Sequence, residues 1–157
     1  MYKNKKIIAV LFARKNSSRL KNKLLNKIFR NNLLELSIKT AKQIKFVDKI
    51  IVATTTNKDD DEIVSLADKM NVECFRGSEN NVIKRFYNCI SNQKNIFDYA
   101  IRFCCDNYLT LPYLVEQNIK RAVNLDLDLI TPGEFAVCTK GTSQVVISCR
   151  CVKKIFK

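Results

Sequence analysis

The sequence contains no histidine, and only 3 Gly and 2 Pro occur among its 157 residues. The lack of histidine excludes Ser-His-Asp and Cys-His catalysis, histidine-containing zinc sites and the usual proton switch near neutral pH. The low Gly and Pro content, with 46% hydrophobic and 27% charged residues, argues against collagen-like, low-complexity and disordered classes. Any chemistry must therefore rest on carboxylates, Lys, Arg, hydroxyls, thiols, backbone amides or a metal bound by oxygen ligands.

The cysteines are seven in number, and no two are spaced as Cys-x-x-Cys. An odd number without that spacing suggests neither a disulfide framework nor a metal knuckle. The pattern is typical of buried thiols in a reducing compartment. The longest N-terminal apolar run, residues 7–13, lies between charged residues and is too short to span a membrane. We therefore expect a cytoplasmic protein without a membrane span.

The formal charge of +13 is concentrated in the first third of the chain. Residues 1–49 contain 14 Lys and Arg against 2 Asp and Glu, a net charge of +12, whereas residues 50–157 contain 14 against 13. Such a local positive field attracts the phosphates of a nucleic acid, an anionic membrane surface or a nucleotide. A compositional bias toward lysine with no partner is the alternative interpretation.

The hydrophobic pattern predicts strands that alternate with helices. Residues 7–12 form a continuous apolar run, typical of a strand buried on both faces of a parallel sheet. Further strands are expected over 49–54, 72–75, 99–103, 127–131, 135–138 and 144–148. Helical spacing of apolar residues is found over 34–44, 63–70, 83–90, 112–122 and 152–156. The chain therefore predicts an α/β fold: a single three-layer α/β/α domain over residues 1–157 with a mostly parallel sheet.

Ligands of such sheets bind beyond the carboxyl ends of the strands, and the loop after the first strand is the most polar candidate. Residues 13–23 contain five cations, together with Asn16, Ser17 and Ser18. Backbone amides, Arg forks and a Lys point charge can surround a triphosphate. The glycine-rich motifs of Rossmann dinucleotide sites and of P-loops are absent, so those two site classes are excluded. A solvated cationic loop is the alternative.

A resemblance to a known family rests on this loop and on segments downstream. The loop reads A-R-x-x-S-x-R-L-x-x-K over residues 13–23, and further matches occur at 50–57, 75–79 and 102–106. This pattern resembles the sugar-activating cytidylyltransferases, which include CMP-sialic acid synthetase, CMP-Kdo synthetase and, as the most similar group, the spore coat polysaccharide biosynthesis protein F group. The resemblance covers roughly residues 6–125, in order and at family spacing.

The resemblance implies a fold like that of the nucleotide-diphospho-sugar transferases and a Mg²⁺-dependent cytidylyltransferase activity. CMP would pass from CTP to a sugar or sugar acid used for surface polysaccharide, and pyrophosphate would leave. The matched nucleotide-binding positions are Ala13, Arg14, Ser17, Arg19, Lys23 and Arg76. Asp106 matches the aspartate that holds Mg²⁺, and the catalytic set is Arg14, Lys23 and Asp106. The expected partners are a nucleotide and a sugar substrate.

Several of these residues also have simpler structural interpretations. Asp106 is nearly as well explained as a turn or helix-capping aspartate. Arg76 and Ser78 could close a turn around Gly77. The four carboxylates of residues 59–62 are assigned to the dipole of the helix that begins there.

Departures from the family pattern leave other functions open. Lys21-Asn22 stands where the family usually has Pro-Gly, and residues 141–147 contain no carboxylate where a second metal ligand is common. One alternative is therefore a catalytically silent nucleotide-binding module, and another is a basic nucleic-acid-binding protein, although we expect no nucleic-acid partner. The chain also stops where the family usually continues into further sheet and a dimerising segment. A C-terminally truncated member is thus one expectation, and a homodimer is left open.

Overall fold

The computed structural model describes residues 1–16, 22–28, 30–107, 109–131 and 141–156. The strands in this part of the chain are β1 (Ile7–Phe12), β2 (Lys27–Ile28), β3 (Asn31–Asn32), β4 (Lys49–Thr55), β5 (Glu73–Gly77), β6 (Tyr99–Cys104), β7 (Leu129–Ile130) and β8 (Val145–Ser148). The α-helices are α1 (Leu33–Gln43), α2 (Asp61–Lys69), α3 (Val82–Ser91), α4 (Pro112–Asn124) and α5 (Cys149–Phe156). A 3₁₀ turn, Lys58–Asp60, precedes α2.

One six-stranded sheet, in the order β5-β4-β1-β6-β8-β7, forms the middle layer. β5, β4, β1 and β6 run parallel, so their carboxyl ends meet at one edge of the sheet. β8 is antiparallel to both of its neighbours, β6 and β7. β1 lies at the centre of the parallel part, and this position explains why its first five residues are all fully buried.

Helices cover both faces of the sheet. Alternate residues of β1 point to opposite faces, so Ala9 and Leu11 pack with α1, α2 and α4, while Ile8 and Val10 pack with α3 and α5. Helix α1 is fixed at its start by a capping box, in which the Asn32 side chain accepts from the Glu35 N–H and the Glu35 carboxylate accepts from the Asn32 N–H. The three-layer α/β/α prediction is confirmed.

The observed elements differ from the predicted ones at several points. The β2–β3 hairpin was not predicted, because two-residue strands carry no hydrophobic periodicity. Helix α5 begins at Cys149 instead of at residue 152, since Cys149 and Val152 share its buried side. The predicted strand over 135–138 lies outside the described residues. Within the described ranges, every helix is too short or too polar to cross a membrane.

The described cysteines are free thiols, as the spacing predicted. Cys89, Cys105 and Cys149 are buried. Burial raises the pKa of Cys89 and of Cys149 to about 12, so both remain protonated and inert at neutral pH. These residues act as small apolar core residues.

Truncation of an apolar side chain between the sheet and α1 tests the arrangement of the layers. Ile38 of α1 is fully buried in the apolar layer between the sheet and helices α1, α2 and α4. Ile96, in contrast, is 82% exposed. We expect Ile38→Ala to lower the free energy of unfolding by about 2–5 kcal/mol, because it removes buried methyl groups and leaves a cavity. The matched control Ile96→Ala should change it by less than about 0.5 kcal/mol. Urea unfolding of both variants measures the difference, and equal losses would contradict the packing described.

Candidate functional site

A cavity of about 240 Å³ opens at the edge where the parallel strands end. β1 contributes Phe12 and the residues that follow it, Ala13 and Arg14. β6 contributes Arg102 and Cys104, and the turn after β6 contributes Asp106. The rest of the cavity wall is formed by Lys23, Leu24, Val82 and Arg85. The cavity therefore lies where the topology of a parallel α/β sheet predicts a ligand.

Lys23 and Asp106 form an ion pair across this cavity. The Lys23 Nζ donates to Asp106 Oδ2 at 2.6 Å, with the two side chains 22% and 44% exposed. Lys23 is held in place by its neighbour Leu24, which is buried and whose carbonyl accepts from the Leu34 N–H at 3.1 Å. Two of the predicted catalytic residues, 83 positions apart in sequence, are thus brought together.

The ends of the loop after β1 are tied to each other and to the sheet. The Asn22 N–H donates to the Lys15 carbonyl at 3.2 Å, and Asn22 has a φ of 57°. Asn tolerates this left-handed conformation better than most residues that have a Cβ. Asn22 stands where the family usually has glycine, so the departure retains the backbone conformation that glycine would permit. Ser17 and Arg19 lie outside the described residues, and their predicted roles stay predictions.

Asp60 anchors the loop after β1 to the end of β4. The sequence did not reveal this role. The buried Asp60 carboxylate accepts from the Lys15 N–H at 2.7 Å and from the hydroxyls of Thr54 and Thr55 at 2.8 and 2.5 Å. Burial tends to raise the pKa of Asp60, but the hydrogen bonds from Thr55, from the Lys15 backbone and from Thr54 outweigh burial and hold it below its ordinary value. Assigning all four carboxylates of 59–62 to the helix dipole was therefore wrong for Asp60.

Gln144 anchors the opposite side of the cavity. Its side chain is 1% exposed; Oε1 accepts from the Cys104 N–H at 2.8 Å and Nε2 donates to Thr110 Oγ1 at 2.6 Å. These bonds tie the residue just before β8 to both ends of the turn that carries Asp106. The segment expected to hold a second metal carboxylate thus uses a neutral amide to support the turn of Asp106.

Arg76 lies away from the described wall of the cavity, although it was predicted to contact the nucleotide. Its guanidinium donates to the carbonyls of Thr55 and Asn57 at 2.9 and 2.6 Å and pairs with Asp61 at 2.5 Å. These contacts close the loop between β4 and α2, in line with the simpler structural interpretation of Arg76. Its nucleotide role stays a prediction.

Two arginines at the cavity were missed by the sequence reasoning. Arg102 interrupts the apolar strand β6, and Arg85 lies four residues before the buried Cys89 on α3. That helical spacing is the signal that could have identified Arg85 as inward-facing. Both guanidinium groups contact Phe12, with their carbons 5.6 and 5.9 Å from the ring centroid.

Asp60→Asn tests the anchoring of the loop. The amide directs an N–H toward groups that already donate, so we expect the free energy of unfolding to fall by about 1–3 kcal/mol at pH 7. Because the folded-state pKa of Asp60 is lowered, its stabilisation is present above the unfolded pKa of about 3.9 and is lost as pH falls through the folded value. The difference in the free energy of unfolding between wild type and Asp60→Asn should therefore shrink below about pH 4.

Urea unfolding at pH 7 and at about pH 3 provides this measurement. Asp68→Asn, at an exposed position of α2, is the matched control and should behave like wild type at both pH values. A loss of stability that is the same at both pH values would contradict the ionised, hydrogen-bonded state of Asp60.

Comparison with known proteins places this chain in a family. The family model described as Cytidylyltransferase matches residues 8–144. An uncharacterized protein of Methanocaldococcus jannaschii is 35% identical over 152 residues, which make up 97% of this chain and 60% of that protein. Spore coat polysaccharide biosynthesis protein SpsF of Bacillus subtilis is 30% identical over 118 residues, which make up 73% of this chain and 48% of SpsF.

Two solved structures support the fold. A cytidylyltransferase from Leptospira borgpetersenii superposes with a TM-score of 0.88 at 23% identity, over 97% of this chain and 64% of that one. A CMP:2-keto-3-deoxy-manno-octonic acid synthetase complexed with CTP superposes with a TM-score of 0.77 at 14% identity, over 96% of this chain and 77% of that one.

The chain is shorter than its curated relatives and spans 60% and 48% of the two described above. The family match nevertheless includes the loop after β1 and the turn of Asp106, and it ends at Gln144. The resemblance noted in the sequence is confirmed, and the chain belongs to the cytidylyltransferase family.

Proposed function

We propose that this chain is a Mg²⁺-dependent cytidylyltransferase that transfers CMP from CTP to a sugar or sugar acid destined for surface polysaccharide. The observation that carries the proposal is the cavity at the sheet edge, where Arg14 and Lys23 face the same space as Asp106. The family match supports CTP as the nucleotide, and the similarity to SpsF supports a role in polysaccharide synthesis.

The proposed reaction needs positioned phosphates more than covalent help from the protein. An acceptor oxygen attacks the α-phosphorus of CTP, the bond from that phosphorus to the oxygen bridging to the β-phosphate breaks, and pyrophosphate leaves. Arg14 and Lys23 would bind the phosphate oxygens and offset the negative charge that develops on the leaving group. Lys23 would exchange its ion pair with Asp106 for a phosphate.

Asp106 fits a magnesium ion whose remaining ligands are phosphate oxygens and waters. Within the described residues, no group of three or more Cys, Asp or Glu side chains is placed to hold a metal. Mg²⁺ commonly takes only one or two protein carboxylates beside phosphates and waters, so one carboxylate at the wall of the cavity suffices. When bound, the ion would neutralise phosphate charge and favour departure of pyrophosphate.

A silent nucleotide-binding module is the second candidate, favoured by Gln144. This buried amide lies in the segment where a second carboxylate was expected, and both ends of its side chain are already hydrogen bonded. Such a module would bind CTP with Mg²⁺ and release no pyrophosphate.

A nucleic-acid binder is less well supported by the contacts of the basic segment. Lys5, Lys15, Lys23 and Lys49 each form an ion pair with a carboxylate, so part of the +12 charge is balanced locally. Binding of an oligonucleotide with an affinity that falls steeply as salt rises would favour the nucleic-acid-binding function.

Pyrophosphate release from CTP tests the proposed activity. With Mg²⁺ and a panel of sugars and sugar acids, we expect turnover by the wild type and a loss of about 100-fold or more in Asp106→Asn. Asparagine retains the shape and the acceptor oxygen needed for a turn but lacks the charge, so a turn residue would tolerate the substitution. Lys69→Gln, at an exposed end of α2, is the control and should retain full activity. CTP binding without turnover in the wild type would favour the silent module.

A further inference from the structure

The edge of the sheet opposite the cavity is formed by the segments that lead into β1, β4 and β6, and α4 returns to it. The amino group of Met1 donates to the Phe46 carbonyl at 3.0 Å, which joins two of these segments. The Asp98 N–H donates to the Lys6 carbonyl at 2.9 Å, which joins a third. The start of α5 lies beside them, because the Cys149 N–H donates to the Asp98 carbonyl at 2.8 Å. We call this surface the amino edge, and it comprises residues 1–6, 44–48, 92–98, 120–128 and 149–153.

The carboxylates in the loops of the amino edge already have cationic partners. Asp48 pairs with the amino group of the chain at 2.7 Å, and Asp98 pairs with Lys5 at 3.1 Å. Arg150 pairs with both carboxylates of residues 126–128. Six further lysines at this edge form no ion pair with any described carboxylate: Lys3, Lys6, Lys45, Lys94, Lys120 and Lys153. The amino edge therefore has a surplus of positive charge.

Large apolar side chains are exposed among these lysines. Met1 is 56% exposed, Ile96 is 82% exposed and Leu125 is 59% exposed. A single exposed apolar side chain is common on a protein surface. Three of them beside six unpaired lysines form a surface with both a charged and an apolar component, which is typical of an interaction site.

An anionic lipid bilayer matches both components of this surface. The lipid headgroups attract lysines, and the boundary between headgroups and acyl chains accepts apolar side chains. A nucleic acid would match the charge alone, because stacking of bases needs open aromatic faces. The rings of Tyr2 and Phe46 pack on each other with centroids 4.9 Å apart, and the Nζ atoms of Lys3 and Lys120 lie 6.0 and 5.5 Å from the two centroids. These ring faces are therefore already occupied.

We propose that the amino edge is a docking surface for an anionic lipid bilayer. The lysines contact the headgroups, and Met1, Ile96 and Leu125 enter the boundary of the acyl layer. Because the cavity lies at the opposite edge of the sheet, it stays open to the aqueous phase when the chain is docked. The docking does not depend on the proposed function, since a silent nucleotide-binding module would have the same surface.

Co-sedimentation with lipid vesicles tests the proposal. At about 0.1 M salt we expect the chain to bind vesicles of phosphatidylcholine and phosphatidylglycerol, mixed at about 7:3, and not vesicles of phosphatidylcholine alone. Combining Lys3→Gln, Lys45→Gln and Lys94→Gln should lower the partition coefficient for the anionic vesicles by at least about tenfold, because each lysine near an anionic surface contributes to binding. Equal binding of the wild type to both kinds of vesicle, or to neither, would overturn the proposal.

A second triple variant is the matched control for charge. Lys27→Gln, Lys58→Gln and Lys84→Gln remove the same charge from exposed positions outside the amino edge, in β2, in the 3₁₀ turn and at the start of α3. We expect its partition coefficient to stay within about threefold of wild type, since these charges lie beyond the screening distance of the docked surface. A loss as large as that of the first triple variant would show a dependence on total charge alone and would overturn the docking surface.

Ile96→Ser tests the apolar component without changing any charge. Its exposed position makes a folding defect unexpected, and we expect the partition coefficient for anionic vesicles to fall by at least about threefold. An unchanged partition coefficient would contradict insertion of apolar side chains, and with it the choice of a bilayer.

Titration with a single-stranded oligonucleotide at the same salt concentration distinguishes the remaining partner. We expect the two triple variants to bind it equally. Binding that weakens only in the variant of the amino edge, without binding of the wild type to vesicles, would overturn the proposal in favour of a nucleic acid. Neither assay contains CTP, so the outcome is independent of whether the chain turns over its nucleotide.

Discussion

Excess positive charge around one small cavity is the constraint on which the account of this protein depends. Arg14, Lys23, Arg85 and Arg102 line a space of about 240 Å³, and Asp106 is the single carboxylate on its described wall. Like charges gathered at a partly enclosed site repel one another. Asp106 offsets this repulsion at Lys23, and an anion that entered the cavity would lower it further. The surplus of positive charge on this wall is complementary to an anion.

The surrounding structure keeps these charges in place through buried polar anchors. Asp60 fixes the start of the loop after β1, and Gln144 fixes the turn after β6. Both anchors are almost fully buried and have well-formed hydrogen bonds, as expected of groups that hold loops in a fixed geometry. Lys23 and Asp106 then meet at 2.6 Å although they belong to different loops.

The fold, and the cationic loop of the candidate site, could be predicted because their signals are local. The apolar run of β1 and the helical spacing of α1 to α4 predict a covered, mostly parallel sheet, and the cationic loop follows directly from its composition. Asp60 was misread because a carboxylate at a helix start satisfies the dipole rule, whereas its burial arises from contacts with β4 and Lys15. Arg85 and Arg102 were missed because each lies inside a regular element, where a single charge is usually read as solvent-exposed. Their convergence on Phe12 depends on tertiary packing of α3 against the sheet.

Thermal stabilisation by cytidine, CMP, CDP and CTP, each with Mg²⁺, tests the central claim most directly. A ligand that binds only the folded state raises Tm according to its affinity. If the cavity is complementary to phosphate, the rise in Tm should increase with each phosphate added and should be smallest for cytidine. Equal stabilisation by cytidine and CTP, or none by any member of the series, would contradict the account.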